Sequence, residues 1–420
     1  CAEIHKFSPD LKIWIAHSSS SSKTNNIFRS PPDLSSIDLV MTTYAYVHRA
    51  PWLSEISWHV IVLDEAQNIK NPVAKQTQAI KKLSSHVRFA LTGTPLENRL
   101  LDLWSLFDFV APGLLGSSRV FSNYGKQIRI QNQDKGGEGH FYAAVRQLVG
   151  PYILRRLKSD KQIIADLPDK VEIKAFCSLT KAQIGLYQHA LNELTHRLAQ
   201  DVGGVQRRGL VLSYLTRFKQ ICNHPTQWRG HGQYDAQESG KFIRLQEICA
   251  EIAAKQEKVL VFTQFKEIIP ALHEYLTFIF GQEGLTLHGQ TPIKERATLV
   301  KAFEEEQAFP FFILSLKAGG TGLTLTKASH VIHFDRWWNP AVENQATDRA
   351  YRIGQKRNVL VHKFVCQGTI EEKIDALMSS KKELSDELLA QGEETVLTEL
   401  SNEELLNIVS LDIHRALGES

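Results

Sequence analysis

His59-Val-Ile-Val-Leu-Asp-Glu-Ala-Gln67 decides the fold. Five residues rich in β-branched side chains, continuous rather than alternating, read as a strand buried on both faces, the habit of parallel sheets. The strand then ends on two adjacent carboxylates, Asp64 and Glu65. In open parallel sheets, ligands sit beyond the carboxyl ends of the strands. An acidic pair at such a tip suits a nucleotide: Asp64 to hold Mg2+ through oxygen ligation, Glu65 to orient and deprotonate an attacking water. Taken alone, the pair also fits a polar turn after a strand.

Outward from this strand the same pattern repeats. Lys12–Ala16, Asp38–Thr42 and Val87–Leu91 are further short apolar runs, with helical spacing between Val73 and Leu83. Val87–Leu91 runs into Thr92-Gly-Thr-Pro95, small hydroxyl residues suited to sensing a γ-phosphate, though also a good turn before a helix. From Glu97 to Gly150, and from Lys181 to His224, the spacing is helical. Strand–helix alternation then returns, with strands expected at Lys258–Thr263, Leu285–His288, Phe311–Ser315, His330–Phe334 and Val359–Val365. Helices are expected at Lys241–Lys255, Phe265–Phe280, Ile293–Glu306, Ala341–Tyr351 and Ile370–Leu389. Strands separated by helices imply parallel sheets with right-handed crossovers.

In this second block Phe311–Ser315 leads into Leu316-Lys-Ala-Gly-Gly-Thr-Gly322, whose glycines permit close backbone approach to a phosphate or another lobe. His330–Phe334 leads into Asp335-Arg-Trp-Trp-Asn-Pro340. Arg349 and Arg352, three apart, share a face of the expected helix Ala341–Tyr351. Two guanidinium groups on one face can reach one phosphate, or bridge acids on their own surface.

In this order the motifs resemble helicase superfamily two, and within it the Swi/Snf remodeller branch. The motifs are Asp64-Glu-Ala-Gln67, Leu91-Thr-Gly-Thr-Pro-Leu-Glu-Asn98, Ile221-Cys-Asn-His-Pro225, Val259-Leu-Val-Phe-Thr-Gln264, Ser315–Gly322, Asp335–Pro340 and Gln345-Ala-Thr-Asp-Arg-Ala-Tyr-Arg-Ile-Gly-Gln355. The resemblance covers nearly the whole chain. It implies an α/β fold of two RecA-like parallel-sheet lobes with helical insertions, and a DNA-dependent ATPase using ATP and Mg2+. It places Asp64 on Mg2+, Glu65 as base, and Arg349 and Arg352 as arginine fingers. Candidate nucleotide contacts are Thr92, Gly93, Thr94, Gly320, Gly322 and Gln345. Candidate nucleic-acid contacts are Thr263, Gln264, Ser315, Lys317, Trp337, Trp338, Arg155 and Arg156. For the two tryptophans, core packing is the alternative.

The implied domains are residues 1–98, part of lobe one; 99–170, a helical protrusion and connector; 171–238, the protrusion of lobe two; 239–380, lobe two; and 381–420, an acidic helical tail that packs back on the motor or binds a partner. The family's G-x-G-K-T phosphate loop does not occur before Asp64. The resemblance therefore implies that it lies upstream of Cys1, and that this chain alone hydrolyses ATP poorly. The expected activity of the parent is double-stranded DNA translocation, with polymerase, nucleoid or chromatin complexes as further partners. A DNA-binding scaffold and an RNA helicase of the same superfamily are the rival readings.

Composition is compatible. The 420 residues are 43% apolar and 23% charged, with a net charge of +3, ordinary for a soluble globular chain of two or three domains. The balance neither demands nor excludes nucleic acid. Five cysteines, an odd number without a C-x-x-C pair, argue against a disulfide framework and for a reducing compartment; the resemblance implies the cytoplasm or nucleoid in a bacterium, or the nucleus in a eukaryote. Cys222 and His224 are read as a loop cysteine and a capping histidine rather than a metal site. No run of about 18 apolar residues predicts a membrane span.

Overall fold

The computed structural model describes residues 2–16, 33–93, 100–124, 145, 147–154, 156, 158, 167–200, 204–306, 308–319, 322–376 and 400–418. The chain divides into two compact units, the first running to Val145 and the second beginning at Arg146.

The first unit holds two parallel strand pairs. β1 (Ile13–Ala16) pairs with β2 (Leu39–Thr42), and β3 (Ser57–Leu63) with β4 (Ser84–Ala90). Beneath the second pair, Leu63, Ala66, Ile69, Ile80, Leu106 and Phe109 form one core. The helix Leu100–Val110 is fastened there by Arg88, which donates to Phe109 O at 2.9 Å and Leu83 O at 2.6 Å. The opposite face of the pair leaves Val60, Val62, Val87 and Phe89 exposed, so β3 is buried on one face and not on both as its apolar run suggested. Period-two alternation puts these four on one side.

The second unit is a six-stranded, all-parallel sheet ordered β5-β10-β9-β6-β8-β7. Its strands are β5 (Lys170–Cys177), β6 (Val259–Thr263), β7 (Leu285–Leu287), β8 (Phe311–Ser315), β9 (His330–His333) and β10 (Val359–Cys366). Every residue of β6, β8 and β9 is buried. Neighbouring residues go to opposite faces, as the pleat requires. Val259, Val261, Phe311 and Ile313 join one core, and Leu260, Phe262, Phe312 and Leu314 the other. Helices Gly240–Ala254 and Ile269–Phe280 contribute to the first core, helix Ile293–Glu305 to the second.

One element differs in kind from the sequence expectation. Residues 170–177 are a sheet strand, not part of a helical protrusion: β5 pairs with β10 along its whole length. The tail packs back on this unit, one of its two expected outcomes, through Leu405, Val409 and Ala416 in the first core. After β5 come helices Lys181–Leu198 and Gly204–Asn223, and both contribute to the first core through Tyr187, Leu194, Tyr214 and Phe218. The first begins with a capping box, Thr180 and Gln183 bonding reciprocally.

Candidate functional site

In the first unit the tips of β3 and β4 lie side by side, because Leu91 N donates to Leu63 O and Ala66 N to Leu91 O. Glu65 sits at φ 50, ψ 51, the left-handed region that a side chain rarely adopts. Such strain persists only where surrounding bonds over-determine it. Here Gln67 Nε2 donates to Glu65 Oε2 at 2.6 Å, and Thr92 Oγ1 donates to Gln67 Oε1 at 2.8 Å. The carboxylate is thus aimed by a relay from the neighbouring strand. Asp64 is exposed and spends Oδ1 on Glu65 N at 3.0 Å. Its carboxylate is a hard oxygen donor open to solvent, which fits Mg2+. Tyr44 OH donates to Asp64 O at 2.6 Å. Its phenol is pushed up to about 12 by burial and then by the Asp64 and Glu65 charges. Tyr44 was not legible as a site residue, because nothing in sequence ties it to Asp64, 20 positions on. Gly93 is exposed beyond the β4 tip. Thr94 lies outside the described residues.

In the second unit, β6 runs between β8 and β9, with Thr263 in register with Ser315. The candidates Thr263, Gln264, Ser315, Trp337 and Trp338 therefore gather at one sheet edge. Thr263 does not reach the surface. It is fully buried and donates to Asp335 Oδ2 at 2.5 Å, while Gln264 N donates to Asp335 Oδ1 at 3.0 Å. The expectation that Thr263 itself touches nucleic acid is corrected: its hydroxyl is consumed in holding the Asp335 loop to β6. Trp338 is also buried, whereas Trp337 is half-buried, its backbone N–H donating to Glu343 Oε1 at 2.7 Å. Trp337 is the tryptophan with surface to offer. Ser315 is buried at the β8 tip, and Gly322 has φ +52. Arg156 is exposed. Arg155, Gly320 and the Lys317 side chain lie outside the described residues.

The arginine pair is not on a helix. Helix Pro340–Thr347, carrying half-buried Gln345, stops before it, and Arg349 and Arg352 occupy the turns that follow. After Thr347 the backbone tightens: Arg349 N donates to Ala346 O at 3.1 Å and Ala350 N to Thr347 O at 3.0 Å, three residues back rather than four, and other groups hold the carbonyls that follow. Arg349 O accepts from Leu325 N at 2.9 Å, Ala350 O from Gln355 Nε2 at 3.2 Å, and Tyr351 O from Lys158 Nζ at 2.9 Å. Lys158 also pairs with Asp348 at 3.0 Å. A connector lysine thus clamps both sides of Arg349. Arg349 is buried and Arg352 half-buried.

Arg336 braces the tryptophan loop from within. Only 2% exposed, it pairs with Glu343 at 3.0 Å and with Asp375, which Lys174 also reaches at 2.7 Å. Burial pushes Glu343 up, but the Arg336 charge, the His333 charge, the Arg336 hydrogen bond and the Lys363 charge together outweigh it and hold the carboxyl below the usual carboxylate range. Burial raises the Asp335 carboxyl, against the pull of Lys241 and Lys219. Cys222, Cys366 and Glu371 come together in the core, but the ammonium of Lys241 already stands at Glu371, 2.7 Å away. Cys222 lies in helix Gly204–Asn223, not a loop, and His224 Nδ1 caps the next helix by accepting from Thr226 N at 3.0 Å.

Residues 1–227 match the family model of the SNF2-related domain, more than half of the chain. The chain belongs to the SNF2 family. Residues 240–354 match the helicase conserved C-terminal domain. The SWI2/SNF2 ATPase core of Sulfolobus solfataricus, solved in complex with dsDNA, is 40% identical with a TM-score of 0.53; the match covers 98% of this chain and 83% of that one. The two units are thus the RecA-like α/β lobes of such cores. The putative ATP-dependent helicase/translocase YwqA of Bacillus subtilis (strain 168) is 42% identical over 413 residues, 97% of this chain and 44% of that protein. Human DNA excision repair protein ERCC-6 is 31% identical over 414 residues, 92% of this chain and 27% of that protein. The chain therefore spans less than half the length of these curated relatives. Among the described residues no helix is long and apolar enough to cross a membrane.

Proposed function

We propose that this chain carries the hydrolytic and DNA-gripping residues of an ATP-dependent translocase on double-stranded DNA. The observation that carries the reading is the strained, relay-held Glu65 carboxylate beside the open Asp64 carboxylate. Asp64 fits Mg2+, which neutralises charge on the triphosphate when bound. Glu65, oriented by Gln67 and Thr92, accepts the proton of the attacking water. Arg349 and Arg352 supply positive charge to the same reaction; a guanidinium in that role is worth about 10³–10⁵ in rate. The Sulfolobus core in its dsDNA complex supports duplex DNA as the track. Half-buried Trp337, Gln264 and exposed Arg156 provide a grip through backbone contacts, with weak sequence preference and steep salt dependence.

The test is ATP turnover by the parent protein with and without duplex DNA. Duplex is expected to stimulate it, and Glu65→Gln to lower it by about 10²–10⁴. Equal rates with and without duplex, or an unimpaired Glu65→Gln enzyme, overturn the proposal. Stimulation by single-stranded RNA but not duplex DNA would favour an RNA-acting relative.

A further inference from the structure

Lys219 lies on helix Gly204–Asn223 and is 1% exposed. Its ammonium has no hydrogen-bond partner among the described residues. Burying an unpaired cation is costly, so something must compensate it. Two features do. Nζ stands 4.9 Å from the ring centroid of Trp338 and 6.0 Å from that of Trp337, and a desolvated cation over such rings is attracted by their quadrupole. The main opposite charge acting on it is Asp335, the carboxylate that already receives Thr263 Oγ1 and Gln264 N. One cation therefore faces both the tryptophan loop and the carboxylate that fixes the β6 tip.

We propose that Lys219 is a positioning residue, fastening the Thr263–Gln264 tip and the Trp337–Trp338 loop to helix Gly204–Asn223. It sets how tightly these two segments grip duplex DNA. The consequence for DNA rests on the function proposed above; the fastening itself rests on geometry alone. Burial holds the amine down to about 8, against Asp335, Glu371 and Glu343, with Lys241 adding a further downward push. The latch is therefore charged at neutral pH and discharges in mildly alkaline solution.

The experiment uses 19F NMR of the full chain carrying 5-fluorotryptophan, with the two resonances assigned through Trp337→Phe and Trp338→Phe. In the wild type both resonances should titrate between about pH 7 and 9, and Lys219→Met should shift them and abolish the titration. By fluorescence anisotropy Lys219→Met should bind a duplex at least about tenfold more weakly, and Lys219→Arg within about threefold of wild type. The wild-type titration needs no variant, so a Lys219→Met chain that fails to fold does not protect the idea: resonances that do not titrate overturn it. Duplex binding with unchanged resonances and affinity in Lys219→Met overturns the latch and leaves the DNA reading standing. Titrating resonances without any duplex binding overturn the DNA reading and leave the latch standing.

Discussion

Replacing Arg336 by Met should destabilise the second unit and reverse the sign of part of its pH dependence. Arg336, Glu343 and Asp375 have side chains 3%, 1% and 9% exposed, so the pairs are shielded from solvent. Removing one partner of a buried ion pair costs about 3–5 kcal/mol, because the other charge is left without compensation. For a unit of this size 1 kcal/mol moves the melting temperature by about 2–4 °C, so a fall of about 6–20 °C is expected. In the wild type, Glu343 and Asp375 have folded-state pKa values below their unfolded ones. Their stabilisation is present above the ordinary carboxylate range and is lost as pH falls through the depressed values. Without Arg336, burial dominates at Glu343 and its folded pKa rises above the unfolded value. Protonation then favours the folded state, and the gap between variant and wild type narrows on acidification from pH 7 toward 5. Differential scanning calorimetry across that range measures both effects. Adding Glu343→Gln to the variant should recover part of the loss, since the stranded charge is gone. A fall below about 2 °C, or a gap that stays constant with pH, would refute the assignment of Arg336 as the internal brace.

Lys158→Met should lower kcat for ATP about tenfold while costing less than about 1 kcal/mol in stability, since the Lys158–Asp348 pair is more than a third exposed; steady-state kinetics and a melting curve separate the two, and an unchanged kcat rejects the clamp on the Arg349 segment. Gly368→Ala should loosen the tail: Gly368 has φ +68, and a Cβ there would lie 2.3 Å from Asp412 O. A cost of about 1–3 kcal/mol is expected, with residues 400–418 newly open to limited proteolysis.

The parallel-sheet architecture was legible because β6 and β8 are continuous apolar runs, and the carboxyl ends of β3, β4 and β9 lead to Asp64, Thr92 and Asp335. β5 escaped because Lys170-Val-Glu-Ile-Lys-Ala-Phe-Cys177 alternates charged and apolar residues, as an edge strand does, and carries no mark that distinguishes it from a surface ribbon. The end of helix Pro340–Thr347 escaped for another reason. Local spacing favours continuing to Tyr351, but Arg349 N and Ala350 N turn to carbonyls three residues back, and the segment is held by distant partners, Leu325 N at Arg349 O and Lys158 at Tyr351 O, which no local pattern encodes. Thr263 read as a surface contact because its acceptor, Asp335, stands 72 residues away. Lys219 was silent for the same reason: in sequence it is one polar residue on a helix.

Several buried polar groups of the second unit share a location. Thr263, Asp335, Arg336, Glu343 and Lys219 are all buried polar groups, and all meet around the carboxyl ends of β6 and β9. An interior built for stability alone would fill this space with aliphatic side chains, since well-packed apolar replacements of buried ion pairs are often neutral or stabilising. The wider sheet shows that such packing is available, because β6 and β8 are lined by Val, Leu, Ile and Phe up to their last residue. What the charges add is direction. Each is satisfied only by partners on other segments, so the β6 tip, the tryptophan loop, helix Pro340–Thr347 and helix Gly204–Asn223 must take one arrangement together. On the function proposed above, a loop that grips a track and must keep its place through repeated cycles needs that over-determination more than it needs an extra increment of stability.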